Sequence, residues 1–336
     1  MNVDSRIESI LDAALSQGEI GKEEAVGLLT INLNSDEWYA LTAAADSLSR
    51  RQFSNRGEVY AQIGVNFWPC PMSCGFCSFG EEAGLVESPL ELDVQELVTR
   101  AREFETAGAN AIFLMATADY PFDRFIELGR AVRKAIAAGL PLVANIGDFD
   151  SDQAEALISA GFQGVYHVSR LREGRDTKIP LATRLTTLET IRNSALDLGY
   201  CVEPIGPEHS PEELAAEMFR GREYGAANHA CMRRTPLRGT ALSGLGEIPE
   251  IEMAKAVAVT RLAIGKFVRA VGVHEPSLLS LRSGANQIYA ETGPNPRDTK
   301  EDTSRGRGRT VEECKRMLWE AGWIPLEGPT KVFRGA

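Results

Sequence analysis

Val59-Tyr60-Ala61-Gln62-Ile63-Gly64-Val65 reads as a buried strand, and it runs almost directly into Cys70-Pro71-Met72-Ser73-Cys74-Gly75-Phe76-Cys77. The cysteine spacing is C-x3-C-x2-C. Three thiolates on one short loop can hold three irons of a [4Fe–4S] cube and leave the fourth iron without a protein ligand. An open iron can take a substrate or cosubstrate, which separates a reactive cluster from an electron wire. A structural zinc site wants four protein ligands, and no further Cys or His lies close enough in sequence to complete this one. A disulfide framework fits poorly, because three is odd and the other cysteines are scattered. Phe67, Trp68, Phe76 and Phe79 flank the loop and give it an apolar surround that limits water access.

Outward from this stretch, strands alternate with helices. Arg6–Ser16, Lys22–Leu29 and Asp36–Arg51 read as helices ahead of the first strand. After the cysteine loop come a helix over Asp93–Ala107, a strand over Ala111–Met115 and a helix over Phe122–Ala138. Leu142–Ile146 and Gly164–Val168 read as strands around a helix at Ser151–Ala160. Leu181–Leu198 is predicted helical, followed by a strand over Tyr200–Ile205 and a helix over Pro211–Tyr224. His229–Arg233, Ile251–Ile264 and Lys266–Val271 continue the alternation, and Val311–Ala321 is the closing helix. Such alternation implies parallel pairing with right-handed crossovers. The fold class is therefore α/β, a TIM-type (β/α) barrel that is complete or near-complete. It divides into an N-terminal helical extension (1–55), the barrel (56–291), and a C-terminal loop and helix packing on it (292–336). Active sites of such barrels gather on loops at the strand C-terminal ends, where the cysteine loop falls.

Composition agrees with a soluble, acidic protein. The 336 residues are 43% hydrophobic, enough for a large core, and the formal net charge is −11. That charge argues against a nucleic-acid partner, which would show a basic footprint. No apolar run approaches the roughly 18–20 residues of a membrane span. The N-terminus has no signal-peptide pattern, and six cysteines without one point to a reducing cytoplasm.

With an aromatic residue before its third cysteine, the C-x3-C-x2-C loop resembles that of the radical S-adenosylmethionine (SAM) enzymes. The resemblance implies that Cys70, Cys74 and Cys77 hold a [4Fe–4S] cluster whose open iron binds SAM. One electron then cleaves SAM to a 5′-deoxyadenosyl radical. Residues 13–64 resemble the helical lead-in of the biotin synthase group, which also includes methylornithine synthase and the radical maturase of [FeFe]-hydrogenase. Met115-Ala116-Thr117-Ala118-Asp119 occupies the place of the group's SAM-binding turn. Its glycines are missing here, which leaves backbone carbonyls and Asp119 for the SAM amino group. Ile205-Gly206-Pro207-Glu208 resembles the adenine-contacting turn of the fifth strand. Thr235–Leu242, with Leu237, resembles the sixth-strand end of biotin synthase. Phe76 and Asn145 complete the set of cofactor-binding residues so implied.

The departures bear on the reaction. Biotin synthase holds a second, sulfur-donating cluster with three cysteines and one arginine. Arg269 matches that arginine by position and Cys201 lies near one cysteine, but the other two cysteine positions are not cysteine here. Cys201 and Cys231 fall on or beside predicted strands, so they read either as ligands of a differently built second iron–sulfur cluster or as buried packing. Arg233, Arg269 and His274 lie around predicted strand positions or ends, and the arginines read either as a fork for a substrate carboxylate or as structural ion pairs with Glu203, Glu275 or Glu291. His167, Arg170, Arg172 and Glu173 follow the fourth strand, where this sequence departs from the group's pattern. The resemblance thus implies an enzyme, with a flavodoxin- or ferredoxin-type electron donor, that abstracts hydrogen from a small carboxylate-bearing metabolite. For the step after abstraction, the first reading is sulfur insertion in cofactor biosynthesis, with Cys201, Cys231, Arg233 and Arg269 as catalytic candidates. The alternatives are a carbon-skeleton rearrangement without a second cluster, and a noncatalytic iron–sulfur scaffold or electron carrier.

Overall fold

The computed structural model describes residues 2–334 apart from residue 19. Eight strands form a closed, all-parallel cylinder: β1 (Arg56–Gly64), β2 (Ala111–Met115), β3 (Leu142–Asn145), β4 (Gly164–Tyr166), β5 (Asp197–Ile205), β6 (Asn228–Arg233), β7 (Ala270–His274) and β8 (Gln287–Thr292). Each pairs with the next, and β8 returns to β1 through Glu58↔Gln287 to Ile63↔Thr292. Nearly every strand residue is buried, as strands covered on both faces require. A wall of helices surrounds them: α4 (Val94–Ala107), α5 (Phe122–Ala135), α6 (Ser151–Ser159), α7 (Leu181–Arg192), α8 (Pro211–Glu223), α9 (Glu250–Ala263), the short α10 (Leu278–Leu281) and α11 (Val311–Glu320). Their starts are written in the sequence. Asp150 with Gln153, Ser210 with Glu213 and Thr310 with Glu313 form reciprocal capping boxes.

Ahead of the barrel lie α1 (Ser5–Gln17), α2 (Lys22–Leu29) and α3 (Asp36–Gln52); α2 packs on α8 and α9, and α3 on α9. Arg261 of α9 pins this face. Its fully buried guanidinium donates to Ser49 Oγ at 2.9 Å, to the Gly265 carbonyl at 2.8 Å and to Gln52. Two boundaries differ from the sequence reading by four residues or more. The helix expected to reach Leu198 stops at Arg192, and β5 already begins at Asp197, where it pairs with Gly164. The strand expected over Lys266–Val271 lies four residues later. Gly265, at φ +68°, follows the end of α9, and Lys266-Phe267 spans to the register point Asn228↔Ala270. Phe267 is left 68% exposed.

Residues 324–334 close the barrel from below, at the N-terminal ends of the strands. Phe333 is 2% exposed and packs edge-on against Tyr60 and Phe113, with centroids 5.8 and 5.6 Å away. A Cβ on Gly164 would collide with the Phe333 ring, so the bare glycine makes room for it. Beside it, Ile324–Pro325 extends the sheet along the start of β1. Arg269 belongs to this closure. Its Nη1 donates to Asp197 Oδ1 at 2.9 Å and to the Val332 carbonyl, while Arg334 N donates to Asp197 Oδ2 at 2.6 Å. The expected substrate or cluster role for Arg269 is therefore corrected. Arg269 precedes β7, and a residue before a parallel strand lies at the end of the barrel away from the catalytic loops. Among the described residues, no helix is long and apolar enough to cross a membrane.

Candidate active site

The cysteine loop rises from the C-terminal end of β1, between the short paired segments Asn66–Phe67 and Leu90–Glu91. It is tied at both ends of its own turn: Cys70 N donates to the Phe79 carbonyl at 2.6 Å, and Cys77 N to the Cys74 carbonyl at 2.9 Å. Three other loops hold it from outside. Gly75 N donates to the Asp176 carbonyl (2.8 Å), Leu242 N to the Gly75 carbonyl (2.7 Å), and Ser78 N to the Pro296 carbonyl (3.0 Å). The loop is thus clamped by the segments that follow β4, β6 and β8. Phe67, Cys70 and Phe79 form a small apolar cluster of their own, joined by Met72, Cys77 and Ala118.

All six cysteines are free thiols. Burial pushes Cys70 up to about 11 and Cys77 up to about 12, so a metal has to displace protons to gain thiolate ligands. Among the described residues, only Asp176, Glu208 and His209 bring three His, Cys or carboxylate ligand atoms within 4.8 Å of one another. The three loop thiols are therefore not drawn in around a single ion such as zinc. That wider spread fits a cluster, in which each sulfur binds a different iron. The Asp176–Glu208–His209 group is not a second metal centre. His209 Nδ1 accepts a hydrogen bond from Gly206 N at 2.9 Å, which leaves the proton on Nε2, and Arg234 already grips both Glu208 oxygens.

Cys70, Cys74, Phe76 and Cys77 line one side of a cavity in the mouth of the barrel. Gln62, Met115, Asn145, Tyr166, Glu203, Met232 and His274, from the strand ends, form its floor and walls. Arg170 and Arg184 line it from the β4 loop and from α7, and Arg297 from the segment after β8. Ala116, Thr117 and Ala118 line it too, and Thr117 is fixed by Asn66, whose side chain bonds both Thr117 N (3.0 Å) and Oγ1 (2.9 Å). Every cation here has a carboxylate partner. Arg170 Nε lies 3.5 Å from Glu203, and Arg184 lies 3.2 Å from Asp148 and 3.4 Å from Glu173. Arg297 pairs with Glu291 and, at 3.2 Å, with Glu275. Arg307 braces the same two carboxylates from behind.

The comparisons with known proteins agree with this geometry. No protein-family profile matches the chain. It is 24% identical over 333 residues to the biotin synthase of Clostridioides difficile (strain 630), covering 94% of this chain and 98% of that protein. It is 27% identical over 291 residues to the biotin synthase of Pelotomaculum thermopropionicum, covering 80% and 87%. In fold it matches the FeFe-hydrogenase maturase HydG from Carboxydothermus hydrogenoformans (TM-score 0.81, 18% identity, 98% of this chain and 81% of that one). Methylornithine synthase (PylB) matches with a TM-score of 0.79 at 18% identity, covering 95% and 97%. Over most of its length the chain is similar to the biotin synthase-like group of radical SAM enzymes. That likeness implies a [4Fe–4S] cluster and SAM, and the three spread thiols on an apolar loop beside a largely apolar cavity with a few charged and polar groups fit that pair.

Within this barrel, the sequence-derived candidates separate sharply. Cys70, Cys74, Cys77, Phe76, Ala116, Thr117, Ala118 and Asn145 meet at the cavity. Asp119 stays outside its lining, near enough to Cys70 to help hold the thiol proton after burial has done most of it. Ile205, Gly206 and Leu237 also lie outside the lining, and the Gly206 turn is filled by Arg234 and Glu208. Arg233 turns away, donating to the Ile248 carbonyl at 3.1 Å with Glu247 3.9 Å off, so the expected carboxylate fork is corrected here as well. Cys201 and Cys231 part company. Cys201 shares the inward face of β5 with Glu203, close to Tyr166, and burial pushes its thiol well up. Cys231 pairs with Val202 in register and faces outward, its sulfur 3.1 Å from Thr260 Oγ1 on α9. Arg297 was missed by the sequence reading. Its signal was Gly293-Pro294-Asn295-Pro296-Arg297 directly after a barrel strand, a position that favours function over surface filler.

Proposed function

We propose that this enzyme abstracts a hydrogen atom from a small metabolite held in the barrel mouth and carries the product through a redox-neutral rearrangement. When bound, the [4Fe–4S] cluster supplies one electron to SAM, whose cleavage yields the 5′-deoxyadenosyl radical. The chain's own residues position and enclose. The loop clamp fixes Cys70, Cys74 and Cys77, Tyr166 and Glu203 share a hydrogen bond at the floor, and the closed barrel excludes water. A flavodoxin- or ferredoxin-type protein delivers the electron. Six unpaired thiols suit a reducing, cytoplasmic setting.

The observation that carries this choice is the opposed facing of Cys201 and Cys231. Sulfur insertion of the biotin synthase type needs a second cluster, and Cys201 is the only one of the pair turned into the lumen. Arg269 is engaged at the far end of the barrel and Cys231 packs against α9, so neither joins Cys201 in the lumen. A rearrangement of the kind that methylornithine synthase performs needs no second cluster. Sulfur insertion stays the second reading because of the sequence likeness to biotin synthases along nearly the whole chain. Iron content and Mössbauer spectra of the Cys70→Ala/Cys74→Ala/Cys77→Ala protein decide between them. Loss of all cluster iron, together with 5′-deoxyadenosine release by the intact protein under dithionite and SAM, is the expected result. Residual iron that disappears on adding Cys201→Ala restores sulfur insertion, and wild-type SAM cleavage by the triple variant would defeat the radical SAM assignment altogether.

A further inference from the structure

His274 ends β7 and lines the cavity, yet its imidazole is only 5% exposed. The ring lies flat on Tyr289, with centroids 3.9 Å apart and planes 8° from parallel, and meets Tyr166 edge-on at 6.0 Å. These contacts fix the plane of the imidazole and use neither nitrogen. Nδ1 and Nε2 are both buried without a hydrogen-bond partner. No other histidine of the four leaves both ring nitrogens in that state. His209 Nδ1 accepts from Gly206 N, His229 Nε2 meets the Met218 carbonyl, and His167 faces Asp148 at 3.3 Å. A buried polar atom left unbonded is costly, and a stacked ring cannot rotate away to relieve it. Because His274 lines the cavity, a molecule bound there is placed to supply the missing partner.

The charges around the ring narrow what that partner can be. Every arginine lining the cavity already faces one or more carboxylates, and beside His274 the Arg297–Arg307 pair is matched by Glu275 and Glu291. An incoming carboxylate finds hydrogen-bond donors here but no uncompensated positive charge, so its desolvation goes unmatched. Burial, and then the Arg297 charge, push the imidazole far below its ordinary value. The neutral ring carries one N–H and one lone pair. We propose that His274 is a substrate-binding residue and reads an uncharged group that both donates and accepts a hydrogen bond, such as an amide, a urea or a lactam. This rests on the cavity being the substrate chamber, as the function above requires, and replaces the carboxylate that Arg233 and Arg269 were expected to read.

The test uses the cluster-loaded, SAM-bound protein labelled with 15N-histidine, probed with imidazolidin-2-one and, in parallel, with propionate. The ring signals missing from His274→Gln assign those of His274. Imidazolidin-2-one is expected to shift both ring nitrogens of His274 saturably at neutral pH, and propionate to shift neither. His274→Phe preserves the stack on Tyr289 and removes both polar atoms. It should weaken the probe about thirtyfold, the loss of two neutral hydrogen bonds, while His274→Gln retains most of the affinity. A saturable response to propionate, an imidazolium pattern at neutral pH, silence toward both probes, or unchanged affinity in His274→Phe overturns the proposal. Release of 5′-deoxyadenosine by the same preparation is scored separately. A protein that cleaves SAM but fails the His274 test loses this inference alone, whereas one that cannot cleave SAM loses the underlying reading.

Discussion

Arg269 Nη1 lies 2.9 Å from Asp197 Oδ1, and the pair sits at the end of the barrel away from the cysteine loop, gripping Val332 and Arg334. The arginine that matches a cluster ligand of biotin synthase by sequence position is thus a fastener here. With about a third of its side chain exposed, the ion pair is worth only about 1 kcal/mol after solvent screening. Arg269→Ala should lower the urea midpoint by that modest amount and leave SAM cleavage within about twofold of wild type. Loss of turnover in a variant of unchanged stability would return Arg269 to the chemistry.

Phe333 is the body of the same closure. It is buried against Tyr60 and Phe113, in the space that Gly164 leaves open. Phe333→Ala removes the ring from a packed site, and such truncations cost about 3–5 kcal/mol where the surroundings cannot collapse. Gly164→Ala should destabilise by the converse route, since its methyl would press on the Phe333 ring and on the Asp197 carbonyl 2.9 Å away. Urea unfolding of both variants checks this. If Phe333→Ala unfolds like wild type, the C-terminal residues are an ornament on the barrel and not its lower seal.

The barrel was legible because its signals are local. Buried strands such as Ala111–Met115 stand between capped helices, and Cys70, Cys74 and Cys77 announce their chemistry by spacing alone. What stayed hidden depends on register. Reading β7 four residues early placed Arg269 inside a strand. Cys201 and Cys231 both looked like lumen candidates until pairing of Val202 with Cys231 put them on opposite faces, a one-residue difference that periodicity cannot register without the partner strand. Arg297 reaches the cavity only because Glu275 and Glu291, from two separate strand ends, draw the polar segment inward.

His229 provides the acid limb of the stability profile. It faces outward from β6 against α8, with Nε2 3.2 Å from the Met218 carbonyl and the ring 5.4 Å from Tyr200. Burial pushes it from an ordinary 6.5 down to about 4. Because the folded value is depressed, the unfolded chain binds the extra proton between these two limits. The stabilisation is complete above about pH 6.5 and is lost as the pH falls through the window toward 4, by at most about 1.4 kcal/mol per pH unit for one group. Burial depresses His167, His209 and His274 as well, so the wild-type protein should weaken steeply on mild acidification. His229→Gln keeps a donor for the Met218 carbonyl and removes one of the four titrations. Its urea midpoint should therefore approach that of wild type, or overtake it, as the pH is lowered from 7 to 5. Profiles that stay parallel across that range would mean that His229 does not hold its proton off in the folded state, and the acid sensitivity would have to come from the other three.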